Sequence, residues 1–114
     1  MKKDIRKIVL ATLIAVPTLA MSGSFWKSGN IDRILIESIG YGKCMIHIPF
    51  AETSGCKSWV SLDCEGKYLD KGDGDRMLNV ALIAQNMGKK ISVKIDSSKK
   101  FANYCVATRL DILN

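Results

Sequence analysis

Histidine, proline and long apolar segments are all scarce in this chain of 114 residues. It contains two prolines and a single histidine, His47, so any histidine-based chemistry rests on one side chain. An apolar run of nine residues, 8–16, is much shorter than the roughly 20 residues that a helix needs to span a bilayer. The sequence therefore argues against a retained membrane anchor. Internal repeats are absent as well, which excludes a repeat architecture.

The four cysteines do not have the spacing of a zinc site. Successive cysteines lie 12, 8 and 41 positions apart, with no CxxC pair, whereas structural zinc sites usually contain closely spaced pairs. The sequence thus predicts no metal and no other cofactor. Four cysteines allow three disulfide pairings, and their spacing alone does not choose among them. The four are Cys44, Cys56, Cys64 and Cys105.

The N-terminal segment has the order of a secretory signal peptide. Basic residues come first, the apolar run 8–16 follows, and small residues lie within 17–23. Residues 1–20 are therefore predicted to be removed, with cleavage after Ala20 or after Ser22. The mature chain 21–114 is then a single small domain in the periplasm or outside a bacterial cell, where its cysteines are expected to be paired.

The positive charge of the whole chain is concentrated in its leader. The formal net charge is +6, and the leader supplies half of it. The mature chain carries both signs interspersed, whereas a nucleic-acid binder needs a concentrated basic face. The sequence therefore predicts no nucleic-acid partner.

Alternation of apolar and polar residues predicts five strands, with one helix between the third and the fourth. Asp73 or Asp75 is expected to cap this helix and Gly88 to end it, and its wide apolar arc predicts a well-buried helix. This order is that of the OB-fold, a five-stranded Greek-key barrel, in the class of mainly β proteins with one helix (α+β). A generic α+β sandwich has the same elements and remains the alternative. The predicted strands are 30–37, 44–49, 59–64, 91–96 and 103–113, the helix is 76–87, and 97–102 is a turn.

The strand pattern favours one disulfide pairing. If the second and third predicted strands form an antiparallel hairpin that closes near Ser54, Cys44 and Cys64 lie opposite each other on the apolar face. Cys56 in the loop and Cys105 in the last strand then form the second bridge.

No group of residues has a clear catalytic pattern. We interpret His47 as a surface histidine, because an acid–base or nucleophile pair needs a partner within reach. The loop from Asp70 to Asp75 resembles a calcium loop but has the wrong residues at its sixth and twelfth positions, which are Asp75 and Ala81. The acidic pairs Asp63/Glu65 and Asp73/Asp75 have no neighbours that would separate their protonation. The sequence thus predicts a protein that is not an enzyme.

Aromatic residues are the more suggestive feature. Most of them fall in loops or at strand ends beside Lys, Asn and Ser, and a flat apolar ring among short polar groups is typical of surfaces that bind sugars or proteins. The alternative is that Trp59 and Tyr104 cap the core. Tyr41, Trp59 and Tyr68 are the candidate binding residues.

Several features together resemble a known family. They are the Cys56-x-x-Trp59 entry to a strand, the helix end ALIAQNMGKK (81–90), the short strand 91–96 and Cys105 in the last strand. Over roughly 29–113 this outline resembles the B subunits of AB5 toxins, of the subtilase-cytotoxin and typhoid-toxin type, and uncharacterised exported bacterial proteins with the same layout. The resemblance implies a binding module that forms a homo-oligomeric ring, in which edge strands pair and helices line the centre.

Two functions follow from these expectations. The first is an exported, non-enzymatic protein that binds a glycan or a receptor, as a toxin B subunit does. The alternative is a monomeric periplasmic protein that binds or inhibits a protein partner through its loops. The oligomeric state would separate them.

Overall fold

A computed structural model describes residues 23–114, so the predicted signal peptide and its cleavage site lie outside the described residues. Within them the chain forms six strands, one α-helix and a short 3-10 turn. In chain order these are β1 (Ser24–Gly29), β2 (Arg33–Ile36), the 3-10 turn (Tyr41–Lys43), β3 (Cys44–His47), β4 (Trp59–Ser61), α1 (Asp73–Asn86), β5 (Ile91–Phe101) and β6 (Tyr104–Ile112).

The six strands form a single open sheet in the order β1-β5-β6-β4-β3-β2. All neighbours run antiparallel except β4 and β6, which are parallel and are joined through the pair Ser61 and Val106. The predicted class, mainly β with one helix, is confirmed. The five-stranded closed barrel is not, because the sheet has six strands and two free edges, β1 and β2.

Strand β1 is the element that the sequence did not reveal. Its pairing with β5 places Phe25 opposite Ile95 and Lys27 opposite Val93. Lys27 thus occupies a core-side position, which hides the apolar alternation on which strand prediction depends. The predicted first strand, 30–37, corresponds to the shorter β2.

Strand β5 is longer than expected. The predicted turn at 97–102 is wrong, because residues as far as Phe101 continue the strand and the chain reverses at Ala102 and Asn103. Irregular register between Asp96 and Lys100 accommodates this polar segment. Ser97 is buried there, and its backbone N–H donates to the Gly23 carbonyl over 2.9 Å.

Helix α1 begins three residues earlier than predicted, directly after Gly72, and neither Asp73 nor Asp75 caps it. A Cβ atom at Gly74 would lie 2.5 Å from the carbonyl oxygens of Leu62 and Asp63, so the first turn rests directly on the backbone that follows β4. Gly88, with φ +66°, ends the helical segment in the left-handed conformation, as expected.

The core lies between α1 and the inner face of the sheet, and α1 is only partly buried against it. Only Gly74, Ala81 and Ala84 of α1 are buried. Two apolar residues of α1 and its C-cap residue Met87 are substantially exposed, so the prediction of a well-buried helix is wrong: the helix meets the core through Ala81, Ala84 and the partly buried Met77 and Leu78. The exposed residues are Leu82 (45%), Ile83 (51%) and Met87 (58%).

The structure contains two disulfides, Cys44–Cys64 and Cys56–Cys105, which is the pairing favoured from the sequence. The hairpin register differs, however, by two residues. Ile46 pairs with Val60, so Cys44 lies opposite Leu62 rather than Cys64. Asp63, with φ +54°, turns the chain after β4, and the Cα atom of Cys64 lies 5.7 Å from that of Cys44.

Candidate functional site

The outer face of β2, β3 and β4 carries two rows of side chains. Arg33, His47 and Trp59 are paired across the three strands. Because directly paired residues point to the same side of a sheet, these side chains share one surface. The neighbouring row on that surface is Leu35, Met45 and Ser61. Residues between these positions, such as Ile46 and Val60, point into the core.

A pocket of about 240 Å³ lies over these rows. Met45 is 2% exposed and forms part of its floor, while the aromatic rings of Trp59, Tyr41 and Tyr104 surround it. The rings of Tyr41 and Tyr104 meet edge to face, with centroids 5.3 Å apart. This is an arrangement that aromatic pairs favour. Arg33 and Leu35 complete the lining.

A second and wider pocket of about 590 Å³ adjoins the first, since Tyr41 lines both. Its lining includes Lys67, Lys100 and Phe101. The Lys67 ammonium lies 5.4 Å from the centre of the Phe101 ring, within cation–π range. We call the two adjoining pockets the aromatic groove. Cationic groups and one carboxylate, that of Glu37, lie along the groove.

The structure brings two of the three candidate binding residues together. Tyr41 and Trp59 line the same pocket, with Tyr41 39% exposed. Tyr68 does not line either pocket: its hydroxyl donates to the Lys100 carbonyl over 2.7 Å, and its ring packs edge to face on Phe101. Tyr68 therefore supports the rim of the groove from behind.

Sequence reasoning missed Arg33 and Phe101 as groove residues. Arg33 reaches the groove because its strand pairs with β3, and its guanidinium lies 5.3 Å from the centre of the Trp59 ring. Phe101 was assigned to a turn, whereas it is the last residue of β5. Strand pairing fixes both positions, and pairing partners are not visible in a local pattern.

A tight turn presents Tyr41. Tyr41 and Gly42 both have positive φ, +52° and +73°. A Cβ atom at Gly42 would collide with the Ser61 hydroxyl and with the Phe101 ring, so only glycine lets the turn come this close to β4. The Ser61 hydroxyl then donates to the Tyr41 carbonyl over 2.8 Å, which fixes the turn on the sheet.

A buried carboxylate fixes the loop that carries Lys67 to the groove. Asp63 is 1% exposed, and its two oxygens accept hydrogen bonds from four backbone N–H groups. The donors are Gly66 and Lys67 (both 3.0 Å to Oδ1) and Tyr68 and Leu69 (2.7 and 2.8 Å to Oδ2). The loop that carries Lys67 into the groove is therefore wrapped around one side chain.

His47, interpreted from the sequence as a surface histidine, has two side-chain partners in the structure. Its Nδ1 lies 2.6 Å from Asp32 Oδ1, and its Nε2 lies 2.9 Å from Ser58 Oγ. Its ring centroid is 5.0 Å from that of Trp59. Asp32 and Ser58 both lie in loops, so their contacts with His47 could not be predicted from the spacing of these residues in the sequence.

Residues 23–114 contain no group of three or more His, Cys, Asp or Glu side chains that could hold a metal ion. No helix in this part of the chain has the length and apolarity needed to cross a membrane. Comparison of the chain with protein-family models, with curated proteins and with solved structures found no match.

Proposed function

We propose that this is an exported binding protein whose aromatic groove takes a saccharide, either free or carried by a receptor. The observation that carries the proposal is the pocket in which Trp59 and Tyr41 stand over a Met45 floor. A sugar ring offers C–H groups that pack on an aromatic face and hydroxyls that need polar partners at its edge. Arg33, Lys67 and Glu37 supply such partners along the groove.

The groove is held in shape before any ligand arrives. The glycine turn fixes the backbone at Tyr41, while Arg33 and His47 pack against the Trp59 ring. A rigid aromatic site loses little side-chain entropy on binding, so more of its contact energy appears as affinity. The two disulfides fit a protein that folds in an oxidising compartment.

The resemblance to AB5-toxin B subunits adds the proposal of a ring. The exposed apolar residues at the C-terminal end of α1 offer a surface on which copies of the chain could meet; they are Leu82, Ile83 and the C-cap residue Met87. One observation favours the alternative, a monomer that binds or inhibits a protein partner. Ile39, which lines the wider pocket, is 82% exposed, and an exposed aliphatic residue of this kind suits a protein contact.

The first experiment measures the mass of the mature, oxidised protein by light scattering after size exclusion. About five times the protomer mass is expected for the ring, and a monomer would favour the alternative. A saccharide array then tests the groove itself, with Trp59→Ala and Tyr41→Ala as probes. Each variant is expected to lose about tenfold or more in affinity, since removing such a ring contact typically costs about 1.4 kcal/mol or more.

The matched control for the array is Trp26→Ala. Trp26 is 45% exposed on β1, at the opposite edge of the sheet from β2. It should leave saccharide binding unchanged. Equal losses from Trp26→Ala and Trp59→Ala, or no saccharide bound by the wild type, would contradict the proposal.

A further inference from the structure

Three side chains beside the groove form a directed chain of hydrogen bonds. Asp32 Oδ1 lies 2.6 Å from His47 Nδ1, and His47 Nε2 lies 2.9 Å from Ser58 Oγ. A carboxylate can only accept, so Nδ1 carries the proton and donates it to Asp32. In the neutral form of this tautomer, Nε2 is the acceptor and the Ser58 hydroxyl the donor. This places a hydroxyl, a base and a carboxylate that orients the base in the order of a nucleophilic triad.

The backbone keeps the three residues in place. The Asp32 N–H donates to the His47 carbonyl over 3.1 Å, and the N–H of Ile48 donates to the Ser58 carbonyl over 3.2 Å. Each outer residue is thereby tied to the strand that carries the histidine. These hydrogen-bonded side chains are also accessible to solvent, since those of His47 and Asp32 are 22% and 49% exposed.

The triad borders the groove through its immediate sequence neighbours. Arg33 follows Asp32 and Trp59 follows Ser58, and both line the smaller pocket. The His47 ring packs against Trp59, and Arg33 is the cross-strand partner of His47. The Trp59 ring thus joins the pocket to the His47 ring of the triad, and Arg33 places a positive charge on the same face of the sheet. Such a charge stabilises an oxyanion.

We infer that Asp32, His47 and Ser58 form an acyl-transfer site that hydrolyses carboxylic esters, with an acyl group on the groove's ligand as the substrate. This activity goes beyond binding and departs from the expectation of a non-enzyme. The nucleophile does not depend on the proposed function, but the choice of a saccharide ester as substrate rests on it.

The reaction uses only these side chains and water. Ser58 Oγ attacks the carbonyl carbon of the ester while His47 Nε2 takes the hydroxyl proton. The bond to the alcohol oxygen then breaks, and His47 returns its proton to that oxygen. A water molecule attacks the acyl-serine, again giving its proton to His47. His47 protonates Ser58 Oγ as the carboxylic acid leaves, while Asp32 balances the transient imidazolium charge.

The test uses the oxidised mature protein and two probes, a fluorophosphonate and p-nitrophenyl acetate. Intact mass and peptide mapping should show one phosphonyl group, on Ser58. Ser58→Ala and His47→Gln should each lower the rate of p-nitrophenyl acetate hydrolysis by about a hundredfold or more, and Asp32→Asn should lower it as well. Ser28→Ala, an exposed serine on β1, is the matched control and should keep both labelling and rate.

Controls for folding and for saccharide binding distinguish loss of the nucleophile from loss of the folded protein or of the groove. Each variant is used only after thermal unfolding and disulfide mapping match those of the wild type, and Ser58→Ala should retain saccharide binding. An unlabelled Ser58 in the folded wild type, a label on another residue, or equal rates for wild type and Ser58→Ala would overturn the inference. Labelled Ser58 without saccharide binding would support the nucleophile and reject the proposed function.

Discussion

A single buried aspartate organises the loop between β4 and α1. Asp63 has φ +54°, and its two carboxylate oxygens accept hydrogen bonds from the backbone N–H groups of four successive residues, Gly66 to Leu69. In the sequence it was one member of an acidic pair with no evident role. Its actual role is structural: it fixes the segment that carries Lys67 and Tyr68 to the rim of the groove.

Replacing Asp63 by Asn tests this role. The side-chain NH₂ would face two backbone N–H donors, so two hydrogen bonds are lost and donors are left opposed in a buried site. We expect the free energy of unfolding in urea to fall by about 2–4 kcal/mol. Hydrogen exchange at the amides of residues 66–69 should also accelerate.

Asp75→Asn is the matched control for Asp63→Asn, because Asp75 is exposed and caps nothing. It should change the free energy of unfolding by less than about 0.5 kcal/mol. Similar effects from the two substitutions would show that the four hydrogen bonds to Asp63 contribute little.

At the scale of elements, the long strand β5 depends on the charge of a residue beside its irregular segment. Asp96 accepts hydrogen bonds from Lys99 (2.8 Å) and from the hydroxyl and N–H of Ser98 (2.6 and 2.9 Å). The bond from Lys99, and then those from Ser98, lower the pKa of the Asp96 carboxyl from 3.8 to about 2. The ionised form thus favours the folded strand.

This predicts a specific acid sensitivity. Because the folded pKa is below the unfolded one, the contribution of Asp96 is complete above about pH 4 and is lost as the pH falls toward about 2. We expect the loss to be on the order of 1 kcal/mol, since the site is near the surface. Urea titrations at several pH values should show a shallower acid decline for Asp96→Asn than for the wild type.

Asp70→Asn serves as the comparison for this pH series, because Asp70 is exposed in the loop before α1. Its stability should fall with acid as the wild type's does. An Asp96→Asn profile parallel to that of the wild type would contradict the role of this carboxylate.

The elements also show which features of the fold could be predicted. Helix α1 was located to within three residues because a local apolar pattern and Gly88 define it. Strand β1 was missed because it pairs only with β5, which is distant in sequence. Residues 97–101 were missed because they are largely polar, although Lys100 and Phe101 pair with Cys105 and Tyr104 across a tight reversal. Tyr41 and Trp59 were selected by residue type and line one pocket, whereas the contacts of His47 depend on two loops that meet in space.

At the scale of the whole molecule, the sheet consists of two antiparallel halves, β2-β3-β4 and β1-β5-β6. Their strands meet through one parallel pair, Ser61 and Val106. The disulfide Cys56–Cys105 crosses between the halves, whereas Cys44–Cys64 joins β3 to the segment that follows β4. Cys56–Cys105 therefore links the two halves of the sheet, whereas Cys44–Cys64 links segments within one half.

The double variants Cys56→Ala/Cys105→Ala and Cys44→Ala/Cys64→Ala should differ in stability. The bridged residues are 49 and 20 positions apart, respectively. From loop-closure entropy we expect losses of about 4 and about 3 kcal/mol in the free energy of unfolding, measured by urea titration. The first variant should also weaken ligand binding in the groove. A larger loss for the Cys44/Cys64 variant would contradict this ranking.

The groove lies across the junction of the two halves. Tyr41 and Trp59 belong to one half, while Tyr104 and Phe101 belong to the other. A ligand bound there would touch both halves of the sheet, so separating the halves would first require its release. On the proposed function, ligand binding would therefore oppose separation of the two halves, by a free energy that rises with the ratio of free ligand concentration to Kd.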